Sequence, residues 1–225
     1  MTLIIDSGWT EGDRYFNNVS LLLHGNGANN STTITDSSPS PKTVTVALGP
    51  KINTAQSKFG GSSISFRLAG ELGYLDIPTL SFETSESFTL EAWLYKTARD
   101  GSGYSNIFSG GGANQFGYDL TVESRIFMYI ASGLAVAESG TAVTSNSWLH
   151  LAWTRNGSTC RAFVDGVQQG TGTRDAAFTI SRIGATSSGA QTVNGYLDEV
   201  RITKGIARYT ANFTPPTEPF PDAYF

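Results

Sequence analysis

The stretch Trp148–Asp165 limits the fold more than any other part of the chain. WLHLAWTR (Trp148–Arg155) and TCRAFVD (Thr159–Asp165) both alternate in side-chain character, and Asn156-Gly157 stands between them. Alternation with a period of two belongs to strands. Asn-Gly between two such runs is a strong hairpin signal, because both residues tolerate the positive φ of a two-residue turn. Asp165-Gly166 supplies another tight turn before Val167–Gln169. Three consecutive antiparallel strands are therefore expected here.

The same punctuation runs through the rest of the chain. Strand signals occur at Ser20–His24, at the alternating runs Thr43–Leu48 and Ser62–Leu68, at Phe88–Tyr95, and again at Ser105–Ser109, Tyr118–Val122, Ile126–Ala131, Leu134–Ala137 and Val193–Thr203. Tyr74–Ile77 is a short piece ended by Pro78. In Phe88–Tyr95, Phe88, Leu90, Ala92 and Leu94 share one face, and Thr89, Glu91, Trp93 and Tyr95 the other. About a dozen strands at roughly 8–12-residue spacing predict an all-β fold, a two-sheet antiparallel sandwich. Trp93, Trp148 and Trp153 are expected to fill the space between the sheets. Lys204–Tyr209 reads as one helical turn, and Phe213–Phe225, with four prolines, as an extended tail on the surface. The expected organisation is an arm over 1–15, the sandwich over 16–212 and the tail over 213–225.

Composition narrows the function. Charged residues make up 15% of the chain, against the roughly 25% usual in soluble domains, so Gly, Ser, Thr and Asn carry the solubility and fill the turns. The net charge is -4 and no basic run stands out, which excludes nucleic acid as a partner. No run approaches the 18 or so apolar residues of a membrane span. The N-terminus lacks the basic and apolar regions of a secretory signal, so synthesis in the cytoplasm without export is expected. The single cysteine, Cys160, forms no intrachain disulfide and reads as a small core hydrophobe.

Three segments carry a family resemblance. SFTLEAWLY (Ser87–Tyr95), SWLHLAWTRNGSTCRAFVDGVQ (Ser147–Gln168) and NGYLDEVRITKGIARYTANFTPPTEPFP (Asn194–Pro221) resemble the laminin-G-like, concanavalin A-like jelly-roll family. The likeness runs from about Phe16 to Pro221, in the right order. The ending DEVRITKGIARYTANFTPPTEPFP is similar to versions of the domain found in tailed-bacteriophage virion proteins. What the resemblance implies is a non-enzymatic virion surface protein, assembled in the host cytoplasm and present in many copies or as a homo-oligomer. A capsid decoration or cement protein is the first expectation; a receptor-binding, lectin-like module of a tail fibre or adhesin is the second.

Catalysis is not expected. Glycosidases need two carboxylates across the scissile bond, and enzymes of the resembled fold carry them as Glu-x-Asp-x-x-Glu on one strand, which is missing here. Asp198 and Glu199 are adjacent, so they are expected to splay to opposite faces, with Glu199–Arg201 or Glu91–Arg pairing as a structural outcome. His24 and His150 lack the setting of a triad, and with Cys160 they are too few for a zinc site. No cofactor is expected apart from calcium, which the resemblance implies at a sandwich edge, with Asn26, Asp36 and carbonyls of Gly25–Lys42 as ligands. A glycan patch, possessing aromatic rings beside amides, is expected at Tyr104, Asn106, Asn114, Gln115, Phe116 and Tyr118. Assembly contacts are expected from the apolar ends: Leu3, Ile4, Ile5, Trp9 and Tyr15, then Phe220, Tyr224 and Phe225. Removing Met1–Arg14 is expected to leave a folded sandwich.

Overall fold

The computed structural model describes residues 12–66, 73–97, 103–119, 125–139 and 143–224. Among the described residues there are fifteen strands. They are β1 (Val19–Leu23), β2 (Thr45–Ala47), β3 (Lys51–Asn53), β4 (Ser63–Ser65), β5 (Tyr74–Phe82), β6 (Phe88–Lys96), β7 (Tyr104–Gly110) and β8 (Asn114–Asp119). Then follow β9 (Ile126–Ile130), β10 (Gly133–Ser139), β11 (Trp148–Asn156), β12 (Thr159–Val164), β13 (Val167–Thr173), β14 (Phe178–Ile183) and β15 (Gly195–Lys204). One sheet runs β13-β12-β11-β6-β15-β4-β3, with β1 also pairing β15; the other runs β10-β9-β8-β7-β14-β5-β2. No described helix is long and apolar enough to cross a membrane.

The core lies between the sheets. Leu90, Ala92 and Leu94 of β6, Leu151 and Trp153 of β11 and Leu197 and Val200 of β15 meet Phe116, Tyr118, Ile126 and Met128 of the facing sheet. Trp153 lies at its centre, fully buried, with its indole N–H donating to the carbonyl of Phe127 at 2.7 Å. Trp93 and Trp148 do not join it. They lie on the outward face of the larger sheet, where Trp93 meets the rings of His150 and Phe59 and Trp148 that of Tyr95. Period-two alternation put Trp93 opposite Leu94 from the start; its size alone had argued for the core.

Local chemistry explains the turns. Val164 pairs with Val167 across Asp165-Gly166, whose φ values of 48° and 75° suit a two-residue turn of the I′ kind. The preceding hairpin is shifted by one residue: Asn156 pairs with Thr159, so Gly157-Ser158 forms the loop, with Gly157 alone at φ 60°. Two strands were not foreseen, β3 and β14, and Pro78 does not end β5. Lys204–Tyr209 forms no helical turn; β15 continues to Lys204 and irregular chain follows.

A bulge in β15 organises the far side of the larger sheet. Asp198 pairs with Trp93 and Arg201 with Glu91, so Glu199 and Val200 on β15 lie opposite Ala92 alone on β6. Glu199, at φ 50°, takes up the extra residue. Asp198 and Glu199 therefore do not splay to opposite faces, and only Val200 returns to the core. Arg201 binds Glu91 at 2.8–2.9 Å and Asp13 at 3.3 Å, and Tyr209 donates its hydroxyl to Glu91 at 2.8 Å. Arg208 closes on Asp13 at 3.0 Å. Burial alone would raise the Glu91 carboxyl, yet Arg201, His150 and Arg208 hold it well below the usual carboxylate range.

Chain ends cover this ionic layer. Tyr209 and Phe213 stack at 3.5 Å, the Phe220 ring lies 3.6 Å from the Arg201 guanidinium, and Phe16, Val19, Leu22 and Phe220 form a second small core. Asp13 N–H donates to Ala223 O at 2.9 Å, joining the two terminal segments. Nearby, Glu199 accepts from Phe220 N–H at 2.8 Å and contacts His24 Nδ1 at the same distance. Asp198 accepts backbone N–H groups of Lys58, Phe59 and Glu199 at 2.8–3.1 Å. Burial, with the Glu199 charge adding to it, still pushes its carboxyl up to about 7.

Removing one partner of a buried ion pair leaves the other charge uncompensated. Glu91→Ala is therefore expected to cost about 3–5 kcal/mol in denaturant unfolding. pH acts through Asp198, which keeps its proton to about pH 7 when folded but loses it near its ordinary 3.8 when unfolded. The folded state then binds more protons across that window, so this group makes stability fall as pH rises through it. His24, raised although burial opposes it because Glu199 pairs with it, acts in the same sense above its ordinary 6.5. Stability measured against pH is expected to slope less steeply in Asp198→Asn between about pH 4 and 7.

Candidate functional site

The outward face of the smaller sheet is built differently. Alternation along β7, β8 and β9 sends Phe116, Tyr118, Ile126, Met128 and Ile130 inward, and the intervening residues outward. Register then assembles the outer set: Gln115 lies across from Tyr129, Gly117 across from Phe127 and Asn106, and Tyr104 across from Asp119. Gly117 has a steric reason to be glycine, since a Cβ there would fall 1.9 Å from Ser105 O.

Phe127 is fully buried although it faces outward, because two half-buried tyrosines flank it. Tyr104 meets it edge-on at 5.0 Å and Tyr129 at 5.7 Å. These rings, with Ala113, Gln115, Ser132 and Gln191, line a cleft of about 280 Å³. Its rim is held by turns. Ala113, Ser132 and Gln191 are non-glycine residues with φ of 53°, 60° and 51°, a conformation that persists only where the surroundings enforce it.

Those surroundings are visible. Asn106 donates Nδ2–H to Gln191 Oε1 at 2.9 Å and its backbone N–H to Gln191 O at 3.0 Å. Asn114 donates to Gly111 O and accepts from Ala131 N–H at 2.7 Å, and Ser132 donates to Gly112 O at 3.1 Å. Arg174 clamps the β9–β10 turn from beneath, donating to Ile130 O and Ala131 O, each at 3.1 Å. The result is a pre-shaped, ring-walled cleft whose polar lining consists of phenols, amides and a hydroxyl.

Of the six residues expected to form a glycan patch, Tyr104 and Gln115 line this cleft. Asn106 and Asn114 are buried supports of its rim, and Phe116 and Tyr118 point away from it into the core. Burial pushes the Tyr118 phenol up to about 12, so it stays neutral. Phe127, Tyr129, Ser132 and Gln191 were missed. Phe127 and Tyr129 carried a usable signal, being on one face of the alternating run Ile126–Ala131; Gln191 carried none, since a long-range fold-back delivers it.

The residues expected to bind calcium lie elsewhere and are used otherwise. Asp36 is buried, and its carboxylate accepts from Leu22 N–H, Ser38 N–H, the Ser38 hydroxyl and Lys42 N–H at 2.8–2.9 Å. It pins the Gly25–Lys42 loop to β1. Asn26 is exposed at the mouth of a 470 Å³ groove with His24, Glu218 and Phe220. No group of three or more His, Cys, Asp or Glu set to hold a metal occurs among the described residues.

The expected assembly contacts divide. Leu3, Ile4, Ile5, Trp9 and Phe225 lie outside the described residues. Phe220 is 3% exposed and packed on its own sandwich, so it is not a free docking residue. Tyr15 is half-buried beside Arg14 and Arg208, while Tyr224 is exposed. Removing Met1–Arg14 would also strip Asp13 from Arg201 and Arg208, so the truncation acts on more than an arm.

Comparison with known proteins places this architecture. A laminin-G family profile, described as the Concanavalin A-like lectin/glucanases superfamily, matches residues 69–207. No curated protein matches the chain. Among solved structures, domain 4 of AbnA, a GH43 extracellular arabinanase from Geobacillus stearothermophilus in complex with arabinotriose, is 15% identical with a TM-score of 0.60, over 84% of this chain and 93% of that one. The botulinum neurotoxin serotype D binding domain is 10% identical with a TM-score of 0.57, over 87% of this chain and 50% of that one. The enzymatically active domain of bacteriophage CBA120 tailspike protein 2 is 12% identical with a TM-score of 0.57, over 87% of this chain and 33% of that one. Identities this low speak for shared fold alone. The two-sheet sandwich and a profile match over more than half of its length agree: the chain belongs to the Concanavalin A-like lectin/glucanases superfamily, in its laminin-G-like form.

Proposed function

We propose that this protein is a non-catalytic glycan-recognition module, with the cleft on β7, β8 and β9 as its binding surface. The observation that carries the reading is the set Tyr104, Phe127 and Tyr129 beside Gln115, Gln191 and Ser132. An apolar ring wall with a few well-held polar groups is how small-ligand sites combine affinity with orientation. Likeness in fold to a domain solved with arabinotriose supports it.

A non-catalytic role is supported by what the buried acids do. Glu91 is paired with Arg201, Glu199 with His24, and Asp198 is enclosed by three backbone N–H groups. Each is placed to hold structure, and none lines the cleft. The setting we propose is the virion surface, which rests on the resemblance of the C-terminal segment and on the tailspike fold likeness. A tail or fibre adhesin then fits better than a decoration protein docking by its arms, because the tail's Phe220 is already buried. Immunogold labelling of purified phage separates the two: label at tail tips supports the adhesin, and label over the head the decoration protein.

Tyr129→Ala should weaken binding to whichever glycan a printed array identifies by about tenfold or more, as truncation of an aromatic anchor does. Thermal unfolding of the variant should stay near wild type, since Tyr129 is half-buried on an outward face. Binding should also survive a chelator, because the lining donors are neutral side chains. An array binder unaffected by Tyr129→Ala would remove the cleft from the account.

A further inference from the structure

We infer that the cleft takes an uncharged terminal sugar and discriminates against acidic ones such as sialic or uronic acids; this rests on the cleft being the glycan site. Three observations carry it. The first is the lining, in which Tyr104, Gln115, Phe127, Tyr129, Ser132 and Gln191 bear no formal charge. The second is the setting of two cations that adjoin β9 among the described residues. Arg174 sits behind Gly133, with Nε and Nη2 already donated to Ile130 O and Ala131 O. Arg125 precedes the far end of β9, where its carbonyl accepts Asp119 N–H at 2.8 Å, so a residue of each sign lies in this backbone pair.

A ligand carboxylate in this cleft would lose water without meeting a charged partner among the lining residues, which is costly. A neutral hydroxyl-rich ring meets partners of its own kind, lying its apolar face on the tyrosines while its hydroxyls reach the amides. The third observation is size. About 280 Å³ falls just below the usual range of small-ligand sites, roughly 300–1,000 Å³, which suits a terminal residue better than a long internal stretch. The charged groove lined by His24, Glu218 and Asp222 at the other sheet offers an internal contrast.

The test is titration calorimetry of the full chain and of Tyr129→Ala with matched probes: N-acetyllactosamine against its sialylated form, and arabinotriose against a galacturonic acid trimer. The expected result is that the neutral member of at least one pair binds about tenfold or more tighter than its acidic partner. Its affinity should be flat in salt and from about pH 5 to 8, and lost in Tyr129→Ala. Tighter binding of an acidic probe that Tyr129→Ala abolishes would overturn the charge class while keeping the site. Binding indifferent to Tyr129→Ala, or no binding to any probe, would overturn the site and with it this inference.

Discussion

Everything on the outer side of the larger sheet depends on one buried ion pair, Glu91 with Arg201. Two charges placed between a sheet and water are tolerable only if further partners complete them. Here those partners come from the chain ends: Asp13 from one, Arg208 and Tyr209 from the other. The Phe220 ring then lies over Arg201, and Glu199 fixes the Phe220 amide. The bulge at Glu199 makes this possible, since it puts Asp198 and Arg201 on the same outward face. The pair thus converts two terminal segments into a third layer.

That layer distinguishes the two outward faces of the sandwich. A sandwich has two outward faces, and the larger sheet has its central strands closed by its own ends. On the smaller sheet, outward side chains of β7, β8 and β9 line the cleft. The two faces also differ in chemistry. One holds interlocked charges in low exposure, where ionisation is tied to folding; the other holds phenols and amides, which bear no formal charge. Stability should therefore vary with pH while the cleft's own chemistry does not.

Sequence reading reached the sandwich because alternation and turn residues are local signals, and most strands show both. It missed β14, whose FTISRI run is short and flanked by no strong turn dipeptide, and it misplaced the hairpin loop by one residue because Asn-Gly offers two registers. The site was half legible. Tyr104 and Gln115 stood out beside a Gly-rich turn, but alternation should have removed Phe116 and Tyr118, which share the opposite face. The bulge hid the partnership of Asp198 and Glu199, since nothing in DEV announces an extra residue. The arms were misread for a similar reason: Phe220 looks exposed in a Pro-rich tail until the cation beneath it is known.

The most direct test of the account is a co-crystal structure with the neutral glycan that binds best. The account predicts sugar density against Tyr104 and Tyr129, within hydrogen-bonding reach of Gln115 or Gln191. Density instead in the groove beside His24 and Phe220, with the β7–β9 cleft empty, would contradict it.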